Sequence, residues 1–245
     1  MITSVQNNQV KNWRKLQTKK YRTQSQRFLI EGFHLIEEAI KSGWEIETII
    51  IQNGIDIPDW ISKDLTIHVN THVFNEISQT ETPQGIAAVV KMKELYPKHD
   101  GIVLLVDAIQ DPGNLGTIIR TADAAGLTKI FLGKGTVDPY NDKVIRASQG
   151  SIFHIPITQG NLLELIPELQ AKHYMIVAST LENATNYMDI KPREKMGLII
   201  GNEGAGINKD IVAIADKTVT IPIYGQAESL NVSVAAGILM YQMRK

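Results

Sequence analysis

GLIIGNEGAGI, residues 197–207, decides how the second half of this chain is built. Gly197–Ile200 is a short apolar run that breaks into Gly201, Asn202, Glu203, Gly204, Ala205 and Gly206. Such a run bounded by turn residues reads as a strand buried on both faces. Glycines at its end let the backbone approach a ligand closely and adopt positive φ. The same grammar recurs in IVLLVDAI (102–109), TKIFLG (128–133), YMIVAST (174–180) and TVTIPI (218–223). Helical segments separate these runs, among them LGTIIRTADAAG (115–126) and NLLELIPELQAKH (161–173). Strand, glycine turn and helix in alternation predict an α/β domain with a parallel sheet, whose ligands bind outside the carboxyl ends of strands.

The first half reads differently. KMKELYPKHD (91–100) is a charged, proline-containing boundary, giving domains of 1–95 and 100–245. Before it, FLIEGFHLIEEAIKSG (28–43) reads as an amphipathic helix ended by Gly43, and IETIIIQ (46–52) and QGIAAVVK (84–91) read as strands. This half is therefore expected to be a small α/β module. His34, His68 and His72 fall on unrelated segments and imply no metal site.

The 245 residues hold no cysteine, which excludes disulfides, thiolate metal sites and a cysteine nucleophile. No apolar run approaches the roughly 20 residues needed to span a bilayer, and the N-terminus lacks a signal-peptide core, so cytoplasmic residence is expected. The net charge of -1 conceals an asymmetry. Residues 1–30 contain Lys11, Arg14, Lys15, Lys19, Lys20, Arg22 and Arg27 and no acid, while the remainder carries 18 basic against 26 acidic residues. With Trp13, Tyr21 and Phe28 interleaved, this arm could hold a polyanion by phosphate neutralisation and ring stacking. A solvated helix face explains the same lysines and arginines.

Three strand ends carry residues that a plain connection does not need. In IQDPGNLGTIIRTADAAG (109–126), Asn114 is a candidate N-cap, and Arg120 sits where the helix macrodipole disfavours a cation. Either Arg120 pairs with Asp123 at i+3 or it grips a phosphate. The glycine loop places Glu203 where a turn requires no acid. The third stretch, IPIYGQAESLNVSVAAG (221–237), changes from a strand to a loop with Ser229 and Asn231, then to an Ala-rich helix that Asn231 can cap. Neither the dinucleotide fingerprint GxGxxG nor a phosphate-binding GxxxxGK[ST] is present.

NLGTIIRTADAAG, IIGNEGAGI and IPIYGQAESLNVSVAAGI together resemble, in order and spacing, the three motifs of the SpoU/TrmH family of RNA 2′-O-ribose methyltransferases. KVIRASQGS (143–151) looks like the Arg-x-Ser-x-Gly segment between the first two, and RFLIEGFHLIEEAI with TPQGIAAVV is similar to the family's N-terminal substrate-binding domain. The resemblance implies a deep trefoil knot, a homodimer and S-adenosylmethionine as cofactor. Carried over, the cofactor would lie against Ser179, Thr180, Leu181, Gly201, Asn202, Gly204, Ile221, Pro222 and Leu230. The catalytic set would be Asn114, Arg120, Glu203, Ser229 and Asn231, and RNA would meet Lys11, Arg14, Lys15, Lys19, Lys20, Arg22 and Arg146. The family mechanism usually makes the arginine a base; a guanidinium that stays cationic beside the nascent alkoxide is the other reading.

The implied reaction is transfer of a methyl group to a ribose hydroxyl, with no metal and no membrane, and with 23S ribosomal RNA preferred over transfer RNA as substrate. A catalytically inactive RNA-binding protein would be expected to have lost motif residues. A nucleotide-binding oxidoreductase would need the missing glycine fingerprint.

Overall fold

The computed structural model describes residues 1–181 and 183–244. They form two compact units: Met1–Lys93 with Tyr140–Phe153, and Glu94–Pro139 with the chain from His154 onward.

The first unit contains helices α1 (Asn8–Lys15) and α2 (Lys19–Ser25), strand β1 (Arg27–Glu31), helix α3 (Phe33–Lys41), strands β2 (Ile46–Gln52) and β3 (Thr66–Val69), helix α4 (Thr71–Ile77), strand β4 (Ile86–Lys91) and helix α6 (Asp142–Ser148). Its sheet has the order β1-β4-β2-β3. Residues 28–43 are thus not one helix: Phe28–Glu31 pairs antiparallel with β4, and only the part after Gly32 is helical. Gly32 has φ of 101°, which a side chain resists, so the helical periodicity cannot continue through it.

The basic arm is folded. Trp13 and Phe28 are core residues at 6% and 0% exposure, so neither ring is available for stacking. Trp13 packs with Val10, Leu16, Leu29 and Phe74, whereas Phe28 meets Trp44 and Tyr140. Arg22 does not face solvent as a phosphate-binding residue would: it is 4% exposed and its Nη1 donates to the Leu16 carbonyl at 2.8 Å. Arg14 is paired with Glu76, and Arg146 with Asp142 at 2.7 Å. Lys11, Lys15, Lys19 and Lys20 are exposed. The segment Tyr140–Phe153 joins this unit through Tyr140 against Phe28 and through Trp44, whose Nε1 donates to the Phe153 carbonyl at 3.0 Å.

The second unit contains β5 (Ile102–Val106), α5 (Pro112–Ala124), β6 (Lys129–Leu132), β7 (Ile157–Gln159), α7 (Leu162–Ala171), β8 (Met175–Ser179), β9 (Thr185–Asn186), β10 (Met196–Ile200), α8 (Lys209–Ala213), β11 (Lys217–Thr220) and α9 (Val232–Met243). The seven strands run in the order β7-β6-β5-β10-β8-β11-β9, and every pairing is parallel. All five residues of β5 and of β10 are buried, which is why these strands read as unbroken apolar runs. At their amino ends Asp100 accepts from Lys195 and from the Tyr174 hydroxyl; those two bonds hold its carboxyl below the usual range. Among the described residues no helix is long and apolar enough to cross a membrane.

Arg22 is the test of how the arm is held. Arg22→Ala leaves the Leu16 carbonyl short of a charged donor and should cost about 1–3 kcal/mol in urea denaturation. Tyr21→Ala, at the neighbouring exposed position, should stay within about 0.5 kcal/mol of the parent.

Candidate active site

In the sheet order, β10, β8 and β11 are neighbours, so the loops at their carboxyl ends meet. They enclose a cavity of about 630 Å³. Ser179, Thr180 and Leu181 line it from β8, Gly201 to Gly206 from β10, and Ile221, Ser229 and Leu230 from the loop before α9. Of the residues expected to hold a cofactor, only Pro222 is absent from this lining. β11 stops at Thr220, so Pro222 belongs to the loop, with its neighbours Ile221 and Ile223 supplying the wall.

The glycine loop is closed on itself. Asn202 and Gly206 exchange main-chain hydrogen bonds at 3.0 Å in both directions. The Asn202 side chain accepts from the N–H groups of Gly204 and Ala205, and its Nδ2 donates to the Ala108 carbonyl at 2.9 Å. Asn202 therefore spends its amide on shaping the loop and fastening it to the segment that follows β5. A Cβ on Gly201 would lie 2.4 Å from the Gly206 carbonyl carbon and the Ile207 nitrogen, so glycine is required by the turn itself. Beside it, buried Asp107 accepts from the Asn208 N–H at 2.7 Å.

Helix α5 begins one turn earlier than its sequence reading. Asp111, not Asn114, is the N-cap, accepting from the Asn114 N–H at 2.7 Å, and Pro112 occupies the first helical position, where a missing N–H costs nothing. This frees the Asn114 side chain. Its Nδ2 donates to Glu203 Oε1 at 2.9 Å and its Oδ1 accepts from Asn231 Nδ2 at 3.0 Å. Asn231 is the N-cap of α9 as expected, accepting from the Ser233 N–H and hydroxyl and from the Val234 N–H. Asn114, Glu203 and Asn231, distant in sequence, are thus one hydrogen-bonded chain.

The five expected catalytic residues divide. Asn114 and Asn231 have both ends of their amides engaged. Glu203 keeps one oxygen without a partner, and Ser229 has no hydrogen-bond partner, among the described residues; both line the cavity. Arg120 is exposed, makes no pair with Asp123 and is not part of the lining. Six residues separate it from Asn114, which turns it about 120° around the helix to a different face. Lys209 and Glu228 also line the cavity and were not anticipated. The signal was position, Lys209 just after the second stretch and Glu228 inside the third, but their residue types alone did not distinguish them from surface charge.

The cavity is lined by both apolar and charged side chains. Ile200, Ile207, Ile221, Ile223 and Leu230 give it aliphatic walls, and Glu203 and Glu228 place two carboxylates on it. Its size is within the range of about 300–1,000 Å³ found for small-molecule sites. Among the described residues no cluster of three His, Cys, Asp or Glu is arranged to hold a metal. Gly201→Ala should open the loop and lower the melting temperature by several degrees, whereas Gly225→Ala, at a position with open space around it, should leave it unchanged.

Comparison with known proteins agrees with this geometry. The model of the SpoU rRNA Methylase family matches residues 101–241, and that of the MRM3-like substrate binding domain matches residues 7–88. A Bacillus subtilis protein, the 23S rRNA (guanosine(2553)-2′-O)-methyltransferase RlmP, is 46% identical over 244 residues, covering 99% of this chain and 98% of its own. The AdoMet-bound rRNA methyltransferase of Sinorhizobium meliloti superposes with a TM-score of 0.87 at 32% identity, covering 99% of this chain and 96% of that one. The SpoU methyltransferase AviRb of Streptomyces viridochromogenes, solved with AdoMet, gives 0.88 at 27% identity, covering 98% and 97%. With its three strand-end loops inside a family model that spans more than half of its length, the chain belongs to the SpoU rRNA methylase family.

Proposed function

We propose that this chain methylates a ribose 2′-hydroxyl of 23S ribosomal RNA with S-adenosylmethionine, in the cytoplasm. The observation that carries the reading is the Glu203–Asn114–Asn231 chain, which fastens the ends of three separate motifs around one cavity. Ribosomal RNA is preferred because the Bacillus subtilis relative matches from end to end, both units included. In this reading residues 1–95 are the RNA-binding part and the knot domain is residues 100–245, of which Tyr140–Phe153 packs with the first compact unit.

When bound, S-adenosylmethionine supplies a methyl group on a positively charged sulfur, which leaves as a neutral thioether. Thr180, Leu181, Gly201, Ile221 and Leu230 would hold it. Glu203 and Glu228 favour the positive charge. Ser229 faces the cavity with a free hydroxyl, which can orient the ribose. Arg120 would supply a fixed cation beside the ribose oxygen, which gives its proton to water as it takes the methyl group, so the charge that develops there is stabilised where this is worth most. Asn114 and Asn231 act through these groups and are positioning residues.

The position of Arg120 supports a homodimer. Thr117, Arg120 and Ala124 form an exposed stripe on α5, and Val234 and Tyr241 on α9, which packs on α5, are 52% and 54% exposed. Pairing two copies through this face would cover the apolar side chains and bring each Arg120 to the other copy's cavity. A trefoil knot is supported by the path of the chain. β10 lies between β5 and β8, and α9 returns to α5 after its preceding loop has lined the cavity at the ends of β8 and β10.

Ribose-methylation mapping of RNA from cells with and without the gene should show one mark lost from 23S ribosomal RNA; loss from transfer RNA alone would refute the assignment. Arg120→Ala should lower kcat by about 10²–10³. Mixing inactive Arg120→Ala and Glu203→Gln copies should restore activity, because one site of each mixed dimer is then complete. No recovery would show that each copy uses its own arginine. A rate that levels off with rising pH fits a fixed cation, whereas one that keeps climbing into strongly alkaline solution fits an arginine base.

A further inference from the structure

The first unit holds a second cavity, of about 550 Å³, that no motif accounts for. It follows from the sheet's alternation. On one face, Leu29, Ile50, Ala87 and Val89 are covered by Val10 and Trp13 of α1, by Leu16 at its C-cap and by α4. Two residues along the same face, the stripe continues to Arg27 on β1 and Thr48 on β2, beyond the cover of α1, and the side chains become polar. α2 closes the other side. The result is a groove with an apolar floor of Trp13, Leu16 and Val89 and a polar rim.

The rim is suited to one kind of guest. Gln9 and Asn12 project from α1, Gln24 and Ser25 from α2, and Thr48 from the sheet. The side-chain amides of Gln9 and Gln24 have no hydrogen-bond partner among the described residues. Tyr21 presents a ring that is 38% exposed, with Lys15 Nζ 5.3 Å from its centre. Arg27 is not a free anion site, because Glu47 binds it through two nitrogens. What remains is an apolar slot, a stacking ring, several neutral donors and acceptors, and one cation at the edge. Unpaired bases in RNA are recognised in this way, by stacking and by hydrogen bonds along the base edge. The surrounding charge agrees: Lys11, Lys15, Lys19 and Lys20 are exposed on the same two helices, which contain no acid.

We propose that this groove receives a single unpaired nucleotide of the RNA, stacked on Tyr21 and read at its edge by Gln9, Asn12 and Gln24. It would supply sequence selection outside the methylation site itself, and it rests on the reading of the chain as an RNA methyltransferase. Stacking releases few counterions, whereas a lysine–phosphate contact releases about one, so the two contributions separate in salt dependence.

The test uses the full chain and an unmodified full-length 23S ribosomal RNA transcript. Tyr21→Ala should weaken binding about tenfold with an unchanged salt slope, and Tyr21→Phe should restore it. Lys15→Ala should weaken binding and flatten the slope. Tyr96→Ala, which removes a more exposed tyrosine from the second unit, should bind as the parent does. Photocrosslinked nucleotides should map to Tyr21 or the residues around it. Binding by Tyr21→Ala within twofold of the parent, or crosslinks that avoid α1 and α2, would overturn the groove as a nucleotide site and leave it open to a protein segment. Methylation of the same transcript is scored separately. A parent that methylates while Tyr21 is dispensable refutes only the groove. A parent that binds through Tyr21 but never methylates refutes the enzymatic reading and leaves the groove standing.

Discussion

One amide holds the site of the second unit together. The Asn114 side chain donates to Glu203 and accepts from Asn231, so the start of α5, the glycine loop after β10 and the start of α9 share one hydrogen-bonded chain. An amide is the side chain that can do this, since it offers a donor and an acceptor on opposite arms; a carboxylate could not donate to Glu203, nor an ammonium accept from Asn231. It can do so only because Asp111 takes over the capping of α5. The cavity at the strand ends is shaped by that division of labour.

The same economy appears in the neighbouring residues. Asn202 commits its side chain to Gly204, Ala205 and Ala108, which leaves the glycine loop rigid and presents its main chain to the cavity. Asn231 commits its oxygen to the first turn of α9. Among the described residues of the three motifs, one oxygen of Glu203, the hydroxyl of Ser229 and the guanidinium of Arg120 keep free hydrogen-bonding capacity. The side chains that build the scaffold are thus different from those left free in the same three motifs.

The parallel sheet was legible because its strands are buried on both faces, so β5, β8 and β10 appear as apolar runs that end in turn residues. The cap at Asn231 was legible as well, since an Asn before an apolar helix has a local cause. Residues 28–43 misled because Phe28–Glu31 is apolar at a spacing that also fits the following helix; the sheet partner β4 that makes it a strand lies far along the chain. Arg22, Trp13 and Phe28 look like surface chemistry in a basic arm, and only tertiary packing turns them inward. Asp111 was passed over for a similar reason: both it and Asn114 can cap, and the choice depends on where Pro112 lets the first helical turn begin. The link between Asn114, Glu203 and Asn231 is a matter of side-chain direction, which motif order does not contain.

If Asn114 and Asn231 act as one unit, their effects must be coupled. The decisive measurement is a calorimetric titration of S-adenosylmethionine into the parent, Asn114→Ala, Asn231→Ser and the double variant. Serine keeps the helix cap while removing the donor to Asn114. A shared network predicts that the double variant binds little worse than Asn114→Ala alone, a coupling of about 1–2 kcal/mol. Losses that simply add would contradict it and reduce Asn114 and Asn231 to two unrelated structural residues.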